Sequence, residues 1–184
     1  MESSDKNQGK KNIPQVQTFP VPFALSGIKE NITLNTNTPS KPSKEQIINQ
    51  AIQFHLKGNI PEASKCYQYC INQGFNDHRV YSNYGTILKS QGKAKEAEEY
   101  YRKAVKIKPD FAMGYNNLAN ILSDNGKSQE AKDLLMKAIK INPDLAIAHN
   151  NLGSILYNLG NLEEAKKYLE KAINLSPNSA NFYY

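Results

Sequence analysis

The sequence has no tryptophan and only two cysteines among its 184 residues. Cys66 and Cys70 stand four residues apart, and a single pair of this kind does not form the disulfide framework of a small secreted protein. The two thiols could share one helix face, but a metal site would need further ligands, and none is evident beside them. We therefore expect neither a metal nor another cofactor, and we interpret both cysteines as packing residues.

Long apolar runs and blocks of like charge are also missing. No stretch approaches the about 20 apolar residues of a membrane span, and no apolar segment follows the acidic start at residues 1–5, as a secretory signal would require. The net charge of +6 comes from 23 basic and 17 acidic residues that are interspersed along the chain. Such a mild excess does not favour nucleic-acid binding. We expect a cytoplasmic protein that binds neither membranes nor nucleic acids.

Proline and glycine mark how the chain is organised. Residues 1–43 hold five of the nine prolines and offer only one short apolar run, Phe19–Leu25. A stretch of this composition cannot bury enough apolar surface to offset the entropy lost on ordering. We therefore predict a disordered N-terminal arm over 1–43, followed by packed amphipathic helices.

A constant period of 34 residues runs through the rest of the chain. It separates Pro109, Pro143 and Pro177, and likewise Gly58, Gly92, Gly126 and Gly160. Small and large residues recur in the same register, with Ala63, Ala97, Ala131 and Ala165 in one column and Tyr67, Tyr101, Leu135 and Leu169 in another. A fixed period is the signature of a repeat architecture. We predict four repeats, at 44–77, 78–111, 112–145 and 146–179, with 180–184 beginning an incomplete fifth.

Each repeat is predicted to be a helix-turn-helix unit with two helices of roughly 13 residues. The glycine closes the first helix, and the proline prevents the second from continuing. Ser43 and Gln46 have the spacing of a capping box and mark the start of the array. Helices this short are marginal alone, so their stability must come from stacking. The predicted fold is all-α, an elongated solenoid and not a closed bundle.

The columns that include Tyr81, Gly85, Ala97, Tyr101, Ala104 and Pro109 resemble the tetratricopeptide repeat family. The resemblance covers residues 44–179, although the position usually held by tryptophan is occupied by Ile47, Tyr81, Tyr115 and His149. The first repeat departs furthest, with Phe75 where the family has proline. This resemblance implies a right-handed α-solenoid whose first helices line a concave groove that binds peptides or other proteins.

One predicted groove column holds the same residue in every repeat: Asn49, Asn83, Asn117 and Asn151. An amide side chain carries an acceptor and two donors, so four in a row could hold the backbone of an extended polypeptide. This asparagine ladder is similar to the one in the repeat region of O-linked N-acetylglucosamine transferases. The other candidate groove residues are Asn116, Asn150, Asn120, Arg79, Lys89 and Tyr157. The alternative interpretation is that asparagine is merely common at this position and contacts water or a neighbouring helix.

Two well-known activities are not expected. The carboxylate clamp that grips acidic C-termini of heat-shock chaperones needs a lysine where Ile48 stands. The spacing of His55, His78 and His149 gives no arrangement of serine, histidine and acid for catalysis. We therefore expect a binding protein and no catalytic residues in this chain.

Two classes of function remain open. The preferred one is a stand-alone adaptor or scaffold that presents a polar groove to a protein partner. The alternative is the N-terminal, substrate-recruiting portion of a larger transferase, such as a glycosyltransferase, sulfotransferase or methyltransferase, whose catalytic domain is absent. No capping helix follows the predicted last helix, 162–175, so part of its apolar stripe would be exposed. Either the sequence is the front portion of a longer protein, or copies of the chain associate through this open end. We therefore also predict self-association through the C-terminal end.

Overall fold

The computed structural model describes residues 42–177. The chain divides into two units, Met1–Ser40 and Lys41–Tyr184, and only the second contains described residues. The predicted arm, apart from Pro42 and Ser43, and the predicted start of a fifth repeat at 180–184 lie outside the described part. Residues 42–177 form eight α-helices and no strand: α1 (Lys44–Leu56), α2 (Ile60–Asn72), α3 (His78–Ser90), α4 (Ala94–Ile107), α5 (Ala112–Asp124), α6 (Ser128–Ile141), α7 (Ala146–Asn158) and α8 (Leu162–Leu175). None of these eight is both long and apolar enough to cross a bilayer.

Local sequence signals fix where α1 and α3 begin. The Ser43 hydroxyl accepts a hydrogen bond from the Gln46 N–H at 3.2 Å, and Gln46 Oε1 accepts one from the Ser43 N–H at 2.7 Å. This is the predicted capping box. At α3 the Asp77 carboxylate takes the same role and accepts from the Arg79 N–H at 2.8 Å.

Each turn between paired helices contains one of the periodic glycines. Their φ angles are positive: Gly58 (74°), Gly92 (77°), Gly126 (77°) and Gly160 (82°). In the second turn the Gly92 N–H bonds the Lys89 carbonyl and the Lys93 N–H bonds the Leu88 carbonyl. This left-handed closure satisfies the last carbonyls of α3 and costs little at glycine. The chain then reverses directly into the next helix.

Consecutive helices pack as four hairpins, α1/α2, α3/α4, α5/α6 and α7/α8, and each hairpin stacks on the next. The alanine column Ala63, Ala97, Ala131 and Ala165 is buried, as are Tyr67, Tyr101 and Leu135 in the column of large residues. A Cβ at Gly85 would lie 3.0 Å from the Tyr101 ring. Small and large residues therefore interlock within each hairpin. The predicted all-α solenoid of helix-turn-helix units is confirmed.

Candidate functional site

The first helices of the four hairpins, α1, α3, α5 and α7, lie side by side. A polar contact joins each neighbouring pair. These contacts are Arg79 Nη2 to Glu45 Oε2 at 2.7 Å (α3 to α1), Lys89 Nζ to Asp124 Oδ2 at 2.9 Å (α3 to α5) and Asn151 Nδ2 to Asn116 Oδ1 at 2.9 Å (α7 to α5). Side chains of all four helices thus meet on one surface, which we call the first-helix surface.

The four asparagines of the repeated column have different surroundings. Asn49 is exposed on α1, while Asn83, Asn117 and Asn151 are half-buried. Asn49 lies near the Glu45 carboxylate and, after Arg79, helps to lower the pKa of that group. The column is therefore present on the first-helix surface but is not uniform.

Asn83 lies beside the hydroxyl of Tyr67 on α2. That hydroxyl is buried and makes no well-formed hydrogen bond. Burial raises the pKa of Tyr67 to about 12, and the nearby Asn83 amide opposes the rise only in part. Part of the half-buried Asn83 side chain thus lies next to a neighbouring helix.

Asn116 links the next two members of the column. It is only 1% exposed, its Nδ2 lies 3.4 Å from Asn117 Oδ1, and its Oδ1 accepts from Asn151 Nδ2 at 2.9 Å. A buried side chain of this kind cannot itself reach a ligand. It orients its two neighbours, leaving Asn117 with its N–H donors and Asn151 with an acceptor and one donor.

The remaining amide and aromatic candidates are accessible. Asn120 on α5 and Asn150 on α7 are half-buried. Tyr157 is 62% exposed near the end of α7. These three side chains are at least partly exposed to solvent.

Both cations predicted for the groove have acidic partners within the chain. Arg79 donates to Asp77 through Nε at 3.0 Å and Nη2 at 2.8 Å, and to Glu45 through Nη1 at 2.9 Å. These hydrogen bonds raise the pKa of Arg79 and lower that of Glu45. Lys89 pairs with Asp124. The positive charge on this surface is therefore largely compensated by the fold itself.

One exposed column was not predicted from the sequence. Met113 on α5 and Ile147 on α7 are each 40% exposed. They stand one helical turn before Asn117 and Asn151, at the helix position that Arg79 occupies on α3. The 34-residue period alone could have identified them once Arg79 was assigned to the surface.

The two cysteines and His149 are packing residues in the described part of the chain. Cys66 and Cys70 are both buried, and burial raises their pKa values to about 11 and about 12, so both thiols stay protonated and unreactive. His149 is buried, and its Nε2 lies 2.8 Å from the Pro143 carbonyl. Within residues 42–177 no group of three histidine, cysteine or acidic side chains could hold a metal ion.

A stack of helical hairpins whose first helices share one polar surface defines the class of helical-repeat solenoids. Models of the tetratricopeptide repeat match residues 78–111, 146–179 and 100–133, and a related repeat model matches 119–160. Together they span 78–179, which is more than half of the chain. The chain belongs to the tetratricopeptide repeat family.

Solved structures share this fold. A chain from the functional characterisation of Pseudomonas aeruginosa pilF superposes with a TM-score of 0.67 and 21% identity, over 76% of this chain and 64% of that one. YrrB, described as a TPR protein with an unusual peptide-binding site, gives 0.63 and 21% over 76% and 72% of the two chains. The first repeat domain of Spaghetti (RPAP3), bound to the HSP90 peptide SRMEEVD, gives 0.55 and 27% over 58% and 84%. No curated protein matches the sequence.

Proposed function

We propose that this chain is a protein-interaction module that binds an extended polypeptide on its first-helix surface, with Asn83, Asn117 and Asn151 holding the peptide backbone. The observation that carries the proposal is the amide chain from Asn117 through Asn116 to Asn151. This chain holds two partly exposed amides, Asn117 and Asn151, on neighbouring helices. They retain N–H donors and an acceptor oxygen for a ligand. A peptide bond needs both, and it offers them whatever its side chains are.

The similar structures support peptide binding but not one particular chemistry. The peptide SRMEEVD bound by Spaghetti carries three acidic side chains. In the present chain Arg79 and Lys89 are already paired, and Ile48 is buried at 3% exposure. An acidic C-terminal tail would therefore find little unpaired positive charge here. Backbone recognition by amides fits the described residues better than charge recognition.

The proposal assigns no reaction to the chain. Presentation of a polypeptide is the same task whether the repeats act as an adaptor or recruit substrates for a larger transferase of the O-linked N-acetylglucosamine type. In both cases the partner is a protein or peptide, and no nucleic acid, membrane or cofactor takes part. We propose that the protein acts in the cytoplasm.

The test is a triple change of Asn83, Asn117 and Asn151 to alanine. Each substitution removes one amide from the first-helix surface. Capture of partners from the source cell, quantified by mass spectrometry, should therefore fall at least tenfold, while helicity stays constant. The control changes Asn72, Asn161 and Asn174 to alanine, since these asparagines are exposed and lie outside the first helices. Equal capture by the two triple variants would remove the proposed function.

We also infer that copies of the chain associate through α8. The observation in favour is that Leu169 is half-exposed, whereas Tyr101 and Leu135 at the same position of the preceding hairpins are buried. Within the described residues no helix covers the side of α8 that faces away from α7. Burial of this stripe against a second copy would remove apolar surface from water.

A further inference from the structure

The first-helix surface has two halves with different charge. The charged residues on α1 and α3 are Lys44, Glu45, Arg79 and Lys89. On α5 and α7 there is no lysine, arginine or glutamate, and Asp124 at the end of α5 is the one acidic residue. α5 and α7 therefore make this half of the first-helix surface almost uncharged, in a chain of which 22% of the residues are charged.

On the charged half, Glu45 and Arg79 stand one helical turn before the asparagines, and they form an ion pair with each other. Arg79 on α3 lies 2.7 Å from Glu45 on α1, and it is held from behind by Asp77. A ligand that replaced this contact would have to separate two paired charges. The contact also shows that side chains at this helix position reach one another between neighbouring first helices.

On the uncharged half, the same column consists of Met113 and Ile147. Both are 40% exposed, and each stands one turn before an asparagine of the ladder. By the repeat relation with Glu45 and Arg79, these two side chains come from neighbouring first helices and flank the same surface. An apolar shelf thus adjoins the amides of Asn117 and Asn151.

We propose that the polypeptide bound by this chain crosses α5 and α7, and that it is an uncharged extended segment with an aliphatic or aromatic side chain seated between Met113 and Ile147. The inference rests on the proposed function and names its ligand class. In an extended segment alternate side chains point to opposite sides, so one can enter the shelf while the intervening peptide bonds meet Asn117 and Asn151. A charged side chain at this place would lose water without gaining a partner.

The uncharged half also needs little rearrangement to bind this ligand. Asn116 already joins Asn117 to Asn151, so the two amides are oriented before a peptide arrives. Orientation in the free protein reduces the entropy lost on binding. Among the described residues of α5 and α7, the ion pair of Asp124 with Lys89 lies at the far end of α5. The ligand therefore does not need to open it.

The experiment is a selection from a random peptide library displayed on phage, with the full chain immobilised. Enriched peptides should share at least one aliphatic or aromatic residue within a stretch that has no charged side chain. A synthetic peptide of the enriched sequence is then titrated against the full chain and its variants. Changing Met113 and Ile147 together to serine should weaken binding at least tenfold, and the peptide should shift the Met113 methyl signal in NMR spectra.

The matched control removes an apolar side chain from the other half. Leu56→Ser takes away a side chain that is 77% exposed on α1, and it should keep affinity within about twofold. The inference is overturned if the enriched peptides are acidic or basic, or if the double serine variant binds as well as the Leu56→Ser control. Loss of binding only in the triple asparagine variant would leave the proposed function standing and remove this inference. Failure to enrich any peptide would remove both.

Discussion

Arg79 shows how one side chain connects two hairpins. It donates to Asp77 at the start of α3 and to Glu45 on α1. Its hydrogen bond lowers the pKa of Glu45. Burial alone would raise the pKa of Asp77, but the hydrogen bonds from Arg79 outweigh burial and lower it. A carboxylate whose pKa is lowered by folding stabilises the protein above its ordinary pKa and loses that contribution as the pH falls through the folded value.

We therefore expect Arg79→Met to lower the free energy of unfolding by about 1 kcal/mol at pH 7, since the contact is partly exposed. The difference from the unchanged protein should shrink as the pH falls below the ordinary carboxyl range of about 4, because both carboxylates then become protonated. Urea unfolding followed by circular dichroism measures this. Lys44→Met, which removes a charge from α1 without opening the cluster, serves as the control. A stability difference that does not depend on pH would contradict the role given to the two carboxylates.

At the level of the helix, the sequence predicts the elements well because their signals are local. Ser43 with Gln46 starts α1, Gly92 closes the turn after α3, and both act within a few residues. The surroundings of the asparagine column could not be predicted in the same way. Asn116 and Asn117 are neighbours in sequence and both were expected in the groove, yet the first is buried and the second half-buried. That difference depends on how closely α5 and α7 approach, which no short stretch of sequence encodes.

Asn116 gives a prediction at the scale of the α5 and α7 pair. Asn116→Ala removes the amide that holds Asn151, so we expect the Nδ2 protons of Asn151 to exchange faster with water. Stability should fall by about 1 to 2 kcal/mol, because a buried hydrogen bond is lost. Peptide affinity should fall severalfold as the two surface amides lose their fixed orientation. NMR exchange measurements and titration with a bound peptide test this.

Asn120→Ala is the control for the exchange measurement, because it deletes an amide from α5 that is not part of the chain from Asn117 to Asn151. An unchanged exchange rate at Asn151 after Asn116→Ala would show that Asn116 is only a packing residue. Weakened binding with unchanged exchange would place the effect elsewhere on the surface.

At the scale of the whole molecule, the stacking of hairpins leaves the last described helix, α8, without a following hairpin. Val105 near the end of α4 reaches the following hairpin, since a Cβ built on Gly114 of α5 would lie 2.9 Å from its Cγ1. Ile173 on α8 occupies the same position of the repeat and is half-buried like Val105, but no described helix follows α8. A side chain that joins hairpins elsewhere thus has no such neighbour among the described helices. The repeat pattern predicts this open face, because each hairpin buries its stripe only against the next.

If a second copy covers that face, Ile173→Lys should weaken self-association, because it places a charge in the apolar contact. We expect light scattering after size-exclusion chromatography to show the unchanged chain shifting toward dimer as its concentration rises, while the variant stays monomeric. Asn174→Lys adds the same charge at the adjacent exposed position, and it should leave the dimer intact. A chain that is monomeric at every concentration before any substitution would show that copies do not associate through α8, while the first-helix surface would still be free to bind a peptide.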